Sequence, residues 1–253
     1  MDEGWTEWLL DTYDFKYTTI TNADVRAGDL NARFDVLLMA SDRTRSISEG
    51  WAKGTVPPRY EGGLGDEGAR ALDAFVSAGG TLVALNQSAD YAISALHLPV
   101  RNVVDTLSRR SYFSSGSIMQ VTTDPANPVM AGMPERAKVF VDGSPVFATL
   151  DGFEGAAIAK YAKDGSPRLS GYLLGEKYIQ GYAAALDVKH DRGHVVLIGF
   201  RPHWRGQPFG TFRVLFNAAF YGRDVAKSAK GTSGFWSMPK SSVGKADSVG
   251  KAP

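Results

Sequence analysis

Ser88 and His203 are the side chains whose positions suit a nucleophile and its general base. Ser88 stands in a turn after an apolar run, residues 81–85, and His203 follows a second apolar run that ends at Phe200. An imidazole that removes the proton of a hydroxyl creates the nucleophile of a serine hydrolase. This pair therefore predicts hydrolysis of ester or amide bonds as one function of the chain.

Each residue of this pair also has a simpler interpretation. A serine just before a helix commonly caps its first turn, and Ser88 precedes a helical pattern at about 89–96. A single histidine in a loop is weak evidence for catalysis, and His203 lies in such a loop. The chain lacks a Gly-x-Ser-x-Gly motif, which argues against an esterase of the common α/β-hydrolase type.

A further group of polar side chains suits a ligand that carries a carboxylate. Guanidinium groups bind carboxylates through paired hydrogen bonds, and Trp204 lies between two arginines, where its ring offers a stacking surface. The predicted ligand-binding residues are Asn86, Gln87, Asp90, Ser115, Ser117, Arg201 and Arg205. Alternatively, the arginines form structural ion pairs, and residues 115–117 form a polar turn with internally bonded hydroxyls.

The sequence gives little support for a metal site. It has no cysteine, which excludes thiol nucleophiles, disulfides and cysteine-ligated metals. It has four histidines and no His-x-x-Glu zinc motif. His190 and His194 flank Asp191, but Arg192 lies inside the same turn and no third ligand is apparent, so we expect a hairpin with exposed histidines. We expect neither a metal nor a cofactor.

Charge and hydropathy exclude several classes of partner. The 28 basic and 27 acidic residues nearly balance, so no broad field favours nucleic acid or an anionic membrane. No apolar run reaches the length of about 18 residues that spans a bilayer. The acidic start at residues 1–5 does not resemble a signal peptide, and the compartment stays open.

Alternating strand and helix patterns predict an α/β fold with a doubly wound, mainly parallel sheet of the flavodoxin-like kind. The strands are expected near residues 35–40, 81–85 and 194–200, with helices at 2–12, 66–78, 89–96 and 211–221. Residues 17–20 suit a further short strand. Helix 2–12 carries Trp5, Trp8 and Leu9 at helical spacing, which predicts an apolar face suited to packing on a partner.

The middle and the end of the chain differ from this pattern. Residues 116–187 contain short runs broken by Gly and Pro and predict a β-rich, largely antiparallel insertion. We therefore assign residues 1–222 to one domain. Residues 223–253 are rich in Lys, Ser, Gly and Ala and contain an imperfect repeat at 243–246 and 249–252, so we expect a mostly disordered tail.

Several segments together resemble a known family. They are MDEGWT at 1–6, GGTLV at 79–83, FSSGSI at 113–118, NPVMAGM at 127–133 and, most specifically, GFRPHWRGQPFG at 199–210. Over residues 1–222 the chain resembles the C-terminal domain of large bacterial zinc carboxypeptidase-like proteins. The resemblance implies a class I glutamine amidotransferase-like fold, an exported parent protein and a carboxypeptidase domain as partner.

The chain departs from this family at two points. The family places a strand before the first helix and carries a peptidase domain, whereas this sequence starts at the helix, so it looks like a fragment or a shortened reading frame. In amidotransferases of this fold a cysteine follows the strand that matches 81–85, and Asn86 takes that position here. The resemblance thus favours a non-catalytic binding or assembly module that positions peptide or cell-wall substrate. A second copy of the chain is the alternative partner.

The doubly wound sheet also predicts where a site would lie. Ligands of such sheets bind at the carboxyl ends of the strands, where successive crossovers diverge. Residues 86–90 and 201–207 each follow a predicted parallel strand, so we expect them to face each other across one crevice. Ser115 and Ser117 are expected on its rim, and a peptide or a small carboxylate is the expected ligand.

Overall fold

The computed structural model describes residues 1–228 and 231–240. The helices are α1 Asp2–Thr12, α2 Asn22–Arg26, α3 Thr44–Glu49, α4 Gly65–Ser77, α5 Ser88–Ala95, α6 Phe212–Ala219 and α7 Arg223–Ser228. The strands are β1 Val36–Met39, β2 Thr81–Leu85, β3 Val100–Asn102, β4 Phe113–Thr123, β5 Arg136–Val141, β6 Phe147–Thr149, β7 Gly155–Lys160, β8 Arg168–Leu174, β9 Ala183–His190 and β10 Gly193–Ile198. None of the described helices is both long and apolar enough to cross a membrane.

Three parallel strands form the part of the sheet that carries the predicted crevice. β2 lies between β1 and β10 and pairs with both in parallel, with Leu37 opposite Leu82 and Val195 opposite the same residue. The apolar runs of β2 and β10 are buried because helices cover both faces. In β1, at the edge of the sheet, Leu37 is buried and the other residues are half-buried. The predicted parallel arrangement of these three strands is confirmed.

The rest of the sheet is antiparallel. The strand order is β1-β2-β10-β9-β7-β4-β5, with β3, β6 and β8 paired alongside this path. Two of the strand pairings are parallel and seven are antiparallel. The predicted α/β class with a parallel part and a β-rich, antiparallel part is confirmed, and the antiparallel part makes the larger share of the ladders.

Two hydrophobic layers enclose the parallel strands. Val83 and Leu85 of β2 face a cluster that includes α1 and α6, whereas Leu82 and Ala84 face a cluster that includes α4 and α5. This alternation follows from the two-residue period of a strand. The sheet is therefore covered on both faces, as the doubly wound fold requires.

The first helix forms as predicted, and of its predicted apolar face Leu9 is buried whereas Trp8 stays exposed. Thr6, Leu9 and Leu10 are its buried residues, and Trp8 is 44% exposed. The ring of Trp8 nevertheless contacts the loop after β10, since a methyl group added at Gly206 would lie 2.6 Å from it. Helix α1 thereby supplies Thr6 to the interior beside that loop.

The expected strand at residues 17–20 does not form. This segment has no regular secondary structure, and no main-chain hydrogen bond among the described residues involves residues 16–20. β1 lies at the edge of the sheet and pairs with β2 on one side. The segment therefore has the composition of a strand without a neighbour to pair with.

Part of residues 223–253, the segment expected to be a mostly disordered tail, packs on the domain. Residues 223–228 form α7, and the segment 231–240 is anchored to the domain. Thr232 donates to the carboxylate of Asp124 through its N–H at 2.6 Å and its hydroxyl at 2.7 Å, and Trp236 donates to the carbonyl of Gly181 at 2.8 Å. The side chain of Trp236 and these hydrogen bonds offset the conformational entropy that the segment loses when it becomes ordered. The repeat at 243–252 lies outside the described residues.

Candidate functional site

Asn86 occupies a strained turn between strand and helix. β2 ends at Leu85 and α5 begins at Ser88, and Asn86 has a φ of 50°. Its N–H donates to the carbonyl of Ile198 at 2.7 Å, which ties the turn to the end of β10. Asparagine tolerates this left-handed conformation better than most residues. The turn has the geometry in which related folds expose a nucleophile at a helix N-terminus.

The side chain of Asn86 is buried and joins three other segments. In the amide orientation that satisfies its neighbours, its nitrogen donates to Ser144 Oγ at 2.7 Å. Its oxygen accepts from the Arg201 guanidinium at 3.3 Å and from Ser41 Oγ at 3.3 Å. These partners lie in the loops that follow β1, β5 and β10. The amide therefore acts as a cross-link at the carboxyl edge of the sheet.

His203 follows β10 and faces α1. Its Nε2 lies 2.8 Å from Thr6 Oγ1, and that hydroxyl donates its own hydrogen to the carbonyl of Asp2 at 2.9 Å. Thr6 must therefore accept from His203, which places the ring proton on Nε2. Nδ1 is then a bare acceptor, and it has no partner. Burial, together with the nearby charge of Arg201, lowers the pKa of His203 to about 4, although Asp2 opposes the shift.

The two arginines have different surroundings. Arg201 Nη1 forms an ion pair with Asp2 at 2.8 Å, and its Nε donates to the carbonyl of Asp142 at 3.3 Å. Arg205 is exposed and lies 4.8 Å from the ring centre of Trp204, which Arg201 approaches at 4.6 Å. Arg201 thus forms a structural ion pair, the alternative to ligand binding that the sequence left open. The guanidinium of Arg205 instead contacts the ring of Trp204.

Asn86 and His203 line one small cavity, together with Arg201 and Arg205. Its volume is about 10 Å³, which is close to the lower limit for a single water molecule. The two loops that follow β2 and β10 therefore meet as expected, but their polar groups are packed against each other around a space too small for a carboxylate.

Ser88 does not contact His203. It is fully buried, its hydroxyl donates to the carbonyl of Ala40, and it accepts from the N–H of Asp42 at 3.0 Å. It also does not cap α5, because Gln87 is the N-cap residue and makes no side-chain cap bond. The capping interpretation is wrong because the hydroxyl points across to the loop after β1.

Gln87 and Asp90 also lie away from the small cavity. The amide of Gln87 is 3.5 Å from the carbonyl of Gly143. The carboxylate of Asp90 accepts from Asn102 Nδ2 at 3.0 Å, and burial raises the pKa of Asp90 to about 6, which the bond from Asn102 opposes. Asp90 therefore helps to fix the start of the antiparallel part.

Ser115 and Ser117 lie inside strand β4, so the predicted polar turn is absent. Gly116 has a φ of 56°, and the pairing with β8 shifts register between Ser115 and Ile118. The hydroxyl of Ser117 donates to the carbonyl of Tyr172 at 2.6 Å and accepts from its N–H at 2.9 Å. These residues form a β-bulge, whose hydroxyl replaces ladder hydrogen bonds.

The turn between β9 and β10 is the expected hairpin, but its histidines are half-buried. His190 Nε2 lies 2.7 Å from Asp73, and His194 Nδ1 lies 2.7 Å from Asp187. Tyr221 also donates to Asp187 at 2.6 Å. The two imidazoles thus have separate carboxylate partners. In the described part of the chain, no group of three or more metal-binding side chains was found.

Sequence reasoning missed Asp2, Thr6, Ser41 and Ser144, which complete the polar cluster. Ser144 lies in a segment, residues 142–145, whose composition indicates a turn but gives no sign of its partner. Thr6 and His203 are 197 residues apart. A contact across that distance leaves no local pattern in a single sequence.

Comparison with family profiles and with curated protein sequences found no match. Among solved structures, the chain is similar to the cytoplasmic protein STM3548 from Salmonella typhimurium, with 14% identity, 86% of this chain and 85% of that chain covered, and a TM-score of 0.52. It is also similar to the cytoplasmic protein STM1381 from Salmonella typhimurium LT2, with 12% identity, 91% and 88% covered, and a TM-score of 0.51. At these identities the likeness shows a shared fold and nothing about activity.

A third solved structure also covers most of the chain. It is a Thermoplasma acidophilum protein provisionally assigned as a GMP synthase component, with 10% identity, 88% of this chain and 90% of that chain covered, and a TM-score of 0.49. This likeness is too distant to support an argument. None of these three structures bears on the carboxypeptidase resemblance.

Proposed function

We propose that this chain is a non-catalytic binding or assembly module that serves a bacterial zinc carboxypeptidase-like hydrolase. One observation carries the proposal: the strained turn after β2 presents Asn86, and a carboxamide is not among the nucleophiles that enzymes use. The amide is buried and bonded to three other segments. The resemblance described above supplies the carboxypeptidase domain as partner and peptide or cell-wall material as substrate.

The surroundings of Ser88 support this function over a serine-type hydrolase. A catalytic hydroxyl must reach both its base and a substrate carbonyl. The hydroxyl of Ser88 is buried and bonded to the loop after β1, while Nε2 of His203 is bonded to Thr6. A serine hydrolase would require the turn to rearrange so that both groups gain new partners.

A ligand of such a module would bind at the mouth of the small cavity. Arg205 is exposed there and lies against Trp204, so its guanidinium can form paired hydrogen bonds with a carboxylate. The ring of Trp204 also stacks on Phe140, with 5.6 Å between ring centres. This stacking fixes the ring against which Arg205 lies.

Labelling with a fluorophosphonate probe tests the absence of serine catalysis. We expect no labelling of the native chain, because the hydroxyl of Ser88 is shielded and has no base. Unfolded chain treated in the same way controls for nonspecific reaction. Stoichiometric labelling at Ser88, abolished in Ser88→Ala, would establish the hydrolase and refute the proposal.

Binding of a peptide carboxylate tests the ligand. N-acetyl-Ala-Ala is titrated against the chain while tryptophan fluorescence is followed, and the same peptide with a C-terminal amide serves as control. Arg205→Ala should weaken binding of the acid about tenfold, since a charged hydrogen bond contributes about 1.5–3 kcal/mol. Arg59→Ala is the matched variant, because Arg59 also stacks on an aromatic ring, at 4.4 Å from that of Tyr60. Equal binding of acid and amide would contradict a carboxylate site.

A further inference from the structure

The antiparallel strands β4 and β5 have one face in the core and one face towards solvent. β5 ends the strand order at the side opposite to β1. The outward face consists of three pairs of opposed side chains: Ile118 and Phe140, Gln120 and Lys138, and Thr122 and Arg136. The residues that alternate with them point into the core, as the two-residue period of a strand requires. Ile118 is 41% exposed, and Lys138 and Arg136 are also exposed, so a ligand can reach this face.

The charge on this side of the sheet is basic. Strands β4, β5 and β8 contain no acidic residue, and their charged residues are Arg136, Lys138 and Arg168. Two carboxylates flank β5, those of Glu135 and Asp142, and Arg205 beside Trp204 adds a fourth basic group. Neither Arg136 nor Lys138 forms an ion pair within residues 1–228 and 231–240. Two neighbouring cations without a carboxylate partner attract an anion.

The two cations have the spacing of alternate side chains in an extended peptide. Arg136 and Lys138 are two residues apart in one strand, so their Cα atoms lie about 6.8 Å apart. An extended segment with carboxylates at alternate positions has the same repeat and directs both to one face. Each carboxylate can then accept from one cation, and the guanidinium of Arg136 can donate two parallel hydrogen bonds.

An apolar contact lies next to the two cations. Ile118 and Phe140 lie opposite each other, two residues along the strands from Gln120 and Lys138. The ring of Phe140 is held by its stacking on Trp204. Covering the exposed part of Ile118 with an apolar side chain would remove apolar surface from water. The row is therefore apolar, basic and basic, and its complement is an apolar residue with acidic residues two and four positions away.

The aromatic rings near this face favour a protein ligand over single-stranded nucleic acid. Nucleobases bind to such surfaces by stacking on aromatic side chains. The ring of Trp204 already has Phe140 stacked on it and the guanidinium groups of Arg201 and Arg205 at 4.6 and 4.8 Å from its centre. The exposed ring of Tyr172 lies beside the first half of β4, away from the two cations. A short acidic segment needs the cations and the apolar contact alone.

We propose that the outward face of β4 and β5 binds an extended acidic segment of a partner protein. Carboxylates at alternate positions of the segment pair with Arg136 and Lys138, and an apolar residue beside them packs on Ile118 and Phe140. The inference goes beyond the function proposed above, because neither cation lines the cavity at Asn86. Each proposal can therefore hold when the other fails.

Four peptides that carry a neutral fluorophore test the proposal on the full chain by fluorescence polarisation. The first is Leu-Thr-Glu-Thr-Glu with a C-terminal amide, which removes the carboxylate that Arg205 is proposed to bind. The second has glutamine in place of glutamate. The third, Leu-Thr-Thr-Glu-Glu amide, has the composition of the first but directs its carboxylates to opposite faces when it is extended. The fourth has lysine in place of glutamate.

The first peptide should bind at least about fivefold more tightly than the second and the third, and added salt should weaken its binding. Arg136→Ala and Lys138→Ala should each weaken binding about threefold, and the double variant about tenfold, as expected for two independent, exposed ion pairs. Lys53→Ala combined with Arg70→Ala, at exposed positions elsewhere, is the matched control and should bind like the wild type. Arg136→Glu combined with Lys138→Glu should bind the lysine peptide in place of the first.

Four results would overturn the proposal. The first is no binding of the first peptide, and the second is equal binding of the first three. The third is a single-stranded oligonucleotide that binds more tightly than the first peptide and depends on the same two cations, which would make nucleic acid the ligand. The fourth is a double alanine variant that binds the first peptide like the wild type. If that variant also self-associates in sedimentation, the cations protect the edge strand β5 from pairing with other chains.

Discussion

Acid should destabilise the fold through His203. Its neutral ring donates from Nε2 to Thr6, and its Nδ1 is buried without a partner. Protonation would place a second hydrogen on Nδ1, which has no hydrogen-bond partner in the described structure, and would add a charge near Arg201. Burial therefore lowers the pKa of His203 to about 4, although Asp2 opposes the shift.

The sign and size of the effect follow from this shift. The ordinary pKa of 6.5 applies to the unfolded chain, which therefore takes up the proton first as the pH falls. The stabilisation that the folded chain gains from the neutral ring of His203 is fully present above pH 6.5 and is lost as the pH falls towards 4. A shift of this size corresponds to about 3 kcal/mol, of which about 2 kcal/mol is lost by pH 4.5. The side chain is only 6% exposed, so solvent screening reduces this little.

Urea unfolding of the wild type and of His203→Gln at pH 7 and pH 4.5 measures the effect. Glutamine can still donate to Thr6 and does not titrate. Between the two pH values the wild type should lose about 2 kcal/mol more stability than the variant. His97→Gln, at an exposed position, should keep the wild-type pH dependence. Equal losses in the wild type and His203→Gln would refute the assignment of a buried, neutral His203.

Three further outcomes follow from the structure. Burial raises the pKa of Asp90 to about 6, so the charged Asp90 destabilises the folded chain progressively as the pH rises from 4 through 6. Asp90→Asn should therefore raise the free energy of urea unfolding by about 1 kcal/mol at pH 7 but not at pH 4. Gly193→Ala would place a methyl 2.2 Å from the carbonyl of Val76 and should cost about 3 kcal/mol, whereas Gly4→Ala, in open space, should raise the Tm slightly. The free energy of urea unfolding should be about 1 kcal/mol lower for Asn86→Ala than for Asn86→Gly, because residue 86 has a positive φ that glycine adopts more readily than alanine.

The parallel strands were predictable because their sequences leave few alternatives. Residues 81–85 and 194–198 are nearly continuous apolar runs, and each adjoins a glycine or a turn. Such runs fit strands buried on both faces. The position of the site at their carboxyl ends follows from topology, and Asn86 and His203 do line one cavity.

The partners of the site residues were not predictable in the same way. Arg201 finds Asp2 at a separation of 199 residues, and the hydroxyl of Ser88 crosses to the loop after β1. The conformation of Ser115 and Ser117 was unpredictable for another reason: the sequence Ser-Gly-Ser is equally compatible with a turn and with a β-bulge. Only the neighbouring strand β8, which carries Tyr172, decides between the two.

The turn at Asn86 shows how side-chain hydrogen bonds can hold a strained backbone conformation. A positive φ costs about 1 kcal/mol or more, and asparagine is among the residues that bear it best. Its amide bonds to Ser41, Ser144 and Arg201, each contributing about 0.5–1.5 kcal/mol. These bonds together exceed the strain. A nucleophile at the same position would need open space and a free base, whereas Asn86 has neither, and the turn instead joins four segments that are far apart in the chain.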